Sequence, residues 1–161
     1  MISDLYEMTV HERKIWPISD ISAFALRDTA SSYALFSLIA FGRNAAFNGR
    51  PGLEAIAYKV RAIQIVNNRL MNPGDASDGT IMAVTLLWQL EVSGLFRMYS
   101  VGRSRLTAFQ AHFDDFVRCK VHIDGLQQMI QRRGSLENLA EELLWEIAWY
   151  VAEILLLKLP F

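Results

Sequence analysis

The stretch TIMAVTLLWQLE, residues 80–91, carries no charge until its last position. Ile81, Val84, Leu87 and Trp88 recur at helical spacing, and the residues between them are also uncharged. A helix that is apolar nearly all round must be covered on every side. This stretch therefore belongs at the centre of the fold and requires several other helices around it. Ser77 or Asp78 stands where a cap is needed at its start.

Those other helices are read outward from it. Residues 53–70 form one, ended by Asn72-Pro73-Gly74-Asp75. Ile56, Val60, Ile63 and Val66 or Asn67 fall on one face, and Lys59, Arg61 and Arg69 point elsewhere. Asn48-Gly49-Arg50-Pro51-Gly52 is a turn before it. An earlier helix is expected from Ile21 to about Phe47, carrying Phe24, Leu35, Leu38 and Ile39, with Asp20 as its cap. Residues 1–19 read as an irregular lead-in, because Trp16-Pro17 interrupts any helix there. Downstream, residues 92–110 (VSGLFRMYSVGRSRLTAFQ) hold two glycines and no sustained period. They are expected to form a loop or insertion outside the core. A helix resumes near Ala111 and reaches Arg133, where Gly134 can take the left-handed conformation that stops it. Ser135 is then expected to cap a last helix with Leu139, Leu143, Ile147 and Ile154 as its stripe. No segment alternates as a strand would. The expectation is an all-α protein: one domain over residues 1–161, a helical bundle of about five helices.

Composition narrows the function classes. Hydrophobic residues make up 52% and charged residues 20%, which argues against disorder. The net charge of −1 gives no general attraction to nucleic acid or to an anionic membrane. The most apolar stretch, residues 143–160, is interrupted by Glu146, Glu153 and Lys158, so no membrane span is expected. The single cysteine, Cys119, excludes an internal disulfide and a cysteine-based zinc site. That usage suits a reducing compartment, nuclear or cytoplasmic.

Chemistry-bearing residues are few. His112, Asp114, Asp115, His122 and Asp124 lie close in sequence, but their spacing matches no metallohydrolase pattern. The ordinary reading is a solvated helix face with a hydrogen-bonded histidine; no metal and no cofactor is expected. His122, Asp124 and Cys119 are the candidates for a catalytic role, with Cys119 one turn before His122. A buried, inert thiol is the commoner fate of such a cysteine. Trp88, Trp145, Trp149 and Tyr150 read first as core or helix–helix contacts. The less common alternatives are an apolar small-molecule pocket between helices and a patch that docks another chain.

Residues 122–139, HIDGLQQMIQRRGSLENL, resemble the H-x-x-G-L-x-x-M-[VI]-x-x-R-G-G-L-x-x-L signature of fungal-specific transcription-factor regulatory domains. Ala62-Ile63, Asn68-Arg69-Leu70, Asn72-Pro73, Ser77-Asp78, Ala83-Val84 and Glu91 resemble the preceding helices of that family, and Trp149 and Pro160-Phe161 its later part. The likeness runs from about Trp16 onward. It implies a non-enzymatic regulatory or interaction domain that binds a protein partner or another copy of itself. Members often carry an N-terminal Zn₂Cys₆ cluster; the six cysteines are absent here, so direct DNA binding is not implied. Ser135 replaces the second glycine of the signature, and relatives continue past the position of Phe161. Residues 92–110 have no counterpart in most members. They fit an ordinary loop insertion or a translated intron, since Val92-Ser93 and Phe109-Gln110 can be encoded by splice-site-like sequences. The alternative function is a small enzyme or ligand-binding protein of fungal secondary metabolism, with an apolar aromatic pocket and His122 or Asp124 as its polar group.

Overall fold

The structure is a computed structural model that describes residues 18–48, 52–72, 76–100, 120–144 and 146–148. The fold is all-α, and no strand occurs among the described residues. Helices α1 (Ile18–Ala25), α2 (Thr29–Asn48), α3 (Leu53–Leu70) and α4 (Asp78–Ser100) come first. Residues 120–132 form α5, a short 3₁₀ turn follows at Leu136–Asn138, and residues 141–144 and 146–148 belong to α6.

Helix α4 is the centre. Every residue from Thr80 to Trp88 is buried, as an uncharged helix requires. Helices α2 and α3 pack on α4 and on each other. Leu126, Met129 and Ile130 of α5 join the same core, together with Leu143, Ile147 and Ala148 of α6. Thr85 is held inside by donating its hydroxyl to the Ile81 carbonyl at 3.0 Å. Ser77 caps α4: the Thr80 amide donates to Ser77 Oγ at 3.3 Å.

The helix expected from Ile21 to Phe47 is two helices. It breaks at Leu26, Arg27 and Asp28, because Asp28 acts as the cap of α2. Its carboxylate accepts hydrogen bonds from the amides of Ala30 (2.9 Å) and Ser31 (3.2 Å). Ser31 Oγ donates to the Ala25 carbonyl at 2.5 Å, which satisfies the end of α1. Asp20, expected as a cap, lies inside the first turn of α1 instead, where a carboxylate suits the positive helix end.

The face of α3 also differs from expectation. Ala55, Ala62 and Val66 are buried, whereas Ile56 and Val60 are exposed. The small side chains allow close approach of α2, and Ser37 Oγ donates to the Ala55 carbonyl at 2.8 Å across that contact. Lys59 and Arg69, expected to point away, are half-buried and ion-paired instead.

Two further differences concern helix ends. Helix α4 runs through Ser100 with Val92 buried, so the first nine residues of 92–110 are helical rather than irregular. The remainder of that segment, and residues 111–119, lie outside the described residues. Gly134 has φ +95 and stops α5 as its sequence position implied. Ser135, however, makes no side-chain capping bond, and α6 starts only at residue 141. Across the intervening 3₁₀ turn, Leu136 packs against the core and Leu139 just after it is part of the core.

Gly79 and Gly52 offer a contrasting test of packing. A Cβ on Gly79 would stand 2.4 Å from Asp28 Cγ and 2.5 Å from its Cβ. Asp28 is pinned by its cap bonds and by Arg69, so it has nowhere to go. A Cβ on Gly52 would meet mainly the amide end of Asn44, which can swing aside. Gly→Ala within a free helix adds about 1 kcal/mol. Gly79→Ala is nevertheless expected to destabilise by about 1–3 kcal/mol, and Gly52→Ala to change stability by less than about 0.5 kcal/mol. Urea unfolding of both variants checks this; equal midpoints would refute the crowding at Gly79.

Candidate functional site

Glu91 is the first charge on α4 after the uncharged run, and it lies at the rim of the core. Its carboxylate pairs with Lys59 Nζ of α3. The two side chains are 10% and 26% exposed, so both charges are largely withdrawn from water and depend on each other. His122 of α5 is half-buried beside this pair. Three helices thus contribute one ionisable side chain each to a single place.

Burial pushes the His122 imidazole below its ordinary value of 6.5. Glu91 opposes that shift, and Lys59 adds to it. Among the described residues no hydrogen bond to His122 occurs, and its burial favours the neutral ring. A neutral imidazole can accept a proton, and a neighbouring ammonium can hold an anion. No group of three metal-ligating side chains occurs among the described residues.

Protonating His122 is harder in the fold than in the unfolded chain. As pH falls through 6.5 the unfolded chain takes up a proton that the fold still resists, so stability declines. His122→Gln is expected to shrink the loss in urea midpoint between pH 7 and pH 5 relative to the parent protein. An identical pH dependence in both proteins would show that His122 is not held neutral.

The other sequence candidates do not converge here. Asp124 faces outward and pairs with Lys120 one turn before it, at 3.2 Å. Cys119, His112, Asp114 and Asp115 lie outside the described residues, as do Trp149 and Tyr150, and the side chain of Trp145. Trp88 is 2% exposed, which suits an interior contact and not an external patch. Lys59 and Glu91 were not read as site residues from the sequence. They are 32 positions apart, and no periodicity links residues on different helices.

No protein-family model, no curated protein and no solved structure matches this chain.

Proposed function

We propose that this chain is a non-enzymatic interaction domain, akin to fungal transcription-factor regulatory regions but without a DNA-binding module of its own. The observation that carries this reading is the pair of helices that keep large apolar side chains in water. Phe36 and Ile39 of α2 are 40% and 51% exposed, and Leu53, Ile56 and Val60 of α3 are exposed as well. Scattered apolar residues on a surface are ordinary, but large ones recurring on two adjoining helices leave apolar surface open to a partner. The resemblance of residues 122–139 points the same way. Cross-linking of the purified chain in a nuclear or cytoplasmic extract, read by mass spectrometry, tests it. Cross-links concentrated on α2 and α3, to one protein or to a second copy, are the expected result. An isolated monomer with no cross-links would end the reading.

The ligand-binding or enzymatic alternative is favoured by one feature, the neutral His122 beside the Lys59–Glu91 pair. A small molecule taken up there would raise the melting temperature of the parent protein and not that of Lys59→Ala. Protection that survives Lys59→Ala would place the ligand elsewhere.

A further inference from the structure

We infer that the α2–α3 face bearing Phe36 and Tyr58 docks an amphipathic helix whose apolar anchors are flanked by acidic side chains; this rests on the interaction-domain reading above. The two helices run antiparallel, with Ser37 opposite Ala55. Their rings meet on one flank: Tyr58 lies 5.7 Å from Phe36 and 6.1 Å from Tyr33, centre to centre. Phe36, Ile39 and Arg43 follow at i, i+3 and i+7, so they share one side of α2. Tyr58 and Arg61 share one side of α3 in the same way. Antiparallel pairing then sets Arg61 near one end of the aromatic cluster and Arg43 near the other.

Charge selects the occupant. Neither Arg43 nor Arg61 has an ion-pair partner among the described residues; Arg61 reaches only the Gln64 amide oxygen, at 3.4 Å. The single carboxylate on this side of α3, Glu54, accepts a hydrogen bond from the Tyr58 hydroxyl at 3.4 Å. The chain as a whole carries −1, yet this face ends in two guanidinium groups that have no ion-pair partner among the described residues, against the one carboxylate of Glu54. An apolar strip with cations at both ends complements a helix with apolar residues at i, i+3 and i+7 and carboxylates beside them. Arginine suits this role because its planar fork pairs with a carboxylate through two parallel bonds.

The test is selection of an unbiased library of peptides about 20 residues long, enough for a helix of about five turns, against the full chain. Enriched sequences should be amphipathic and net acidic. Their affinity, read by fluorescence anisotropy, should fall at least about tenfold with Phe36→Ala/Ile39→Ser. It should fall about tenfold with Arg43→Glu/Arg61→Glu at low salt, and less at high salt. All four side chains are at the surface, and circular dichroism melts of both variants verify that the fold is kept. Enrichment of basic or uncharged peptides overturns the proposal. Enriched peptides that bind both double variants normally leave the interaction reading standing and remove this face from it. No enrichment at all removes both. A concentration-dependent dimer abolished by Phe36→Ala/Ile39→Ser gives the face to a second copy of the chain and also overturns the proposal.

Discussion

Trp88→Ala is expected to lower the unfolding free energy by about 3–5 kcal/mol, the usual cost of truncating a large buried aromatic. Trp88 is buried to 2% exposure on the one helix that every other layer covers, with Ile81, Met82, Leu86 and Leu87 fully buried on the same helix. Removing the indole leaves a cavity that surrounding helices can close only in part, because ion pairs tie α3 to α4 and to the start of α2, and the end of α5 to α4. The better helix propensity of alanine offsets about 0.5 kcal/mol of this. At a chain length of 161 residues, the loss corresponds to a fall in melting temperature of about 10 °C. Trp88→Phe should retain more than half of the stability difference, since most of the volume stays. Thermal melts of the two variants decide the matter. A Trp88→Ala protein that melts within a degree or two of its parent would mean that this ring lines a pocket or a docking patch, the alternative its sequence position left open.

The centre of this fold was legible because burial on all sides leaves an unmistakable pattern: an uncharged run with no polar face. Residues 80–91 show it, and the structure buries every one of them from Thr80 to Trp88. Legibility failed where two patterns overlap. Apolar spacing continues across Leu26–Asp28, so the break between α1 and α2 is marked only by the capping preference of Asp28. Gly94 suggested that α4 had ended, yet a glycine costs a helix only about 1 kcal/mol, which a buried neighbour such as Val92 can outweigh. On α3 the branched residues drew attention from the alanines. Ala55 and Ala62 make the core contact because they allow close approach, while Ile56 and Val60 remain in water. A count of hydrophobic residues favours large side chains, and tight helix packing favours small ones. The candidate site was legible only as His122. Its partners Lys59 and Glu91 come from helices whose adjacency no local rule supplies.

Asp28→Ala is expected to cost about 2–3 kcal/mol, because this carboxylate holds three helices together. It caps α2 through the amides of Ala30 and Ser31. It also pairs with Arg69 of α3, which lies 2.8 Å away at its nearest approach. Arg69 in turn donates to Thr80 Oγ1 of α4 at 3.3 Å. Truncation therefore leaves two amides without their cap and a half-buried guanidinium without its counter-charge. Asp28→Asn keeps an oxygen that can cap but loses the charge, so about half of the loss is expected. A double-mutant cycle with Arg69→Met isolates the pair, since the cap is untouched by the second change. Acid gives an independent reading. Burial raises the Asp28 carboxyl, but the Arg69 hydrogen bond, the Ser31 and Ala30 amides and the Arg69 charge together outweigh it and hold the group below 3.8. The fold thus binds this proton less readily than the unfolded chain does. Its contribution is complete above pH 3.8 and disappears as pH falls through the folded value. The parent protein should therefore lose more stability between pH 5 and pH 2 than Asp28→Asn loses. Parallel acid curves for the two proteins, together with a coupling energy near zero in the cycle, would reduce Asp28 to a simple cap and leave α3 held to α2 by packing and the Ser37–Ala55 hydrogen bond.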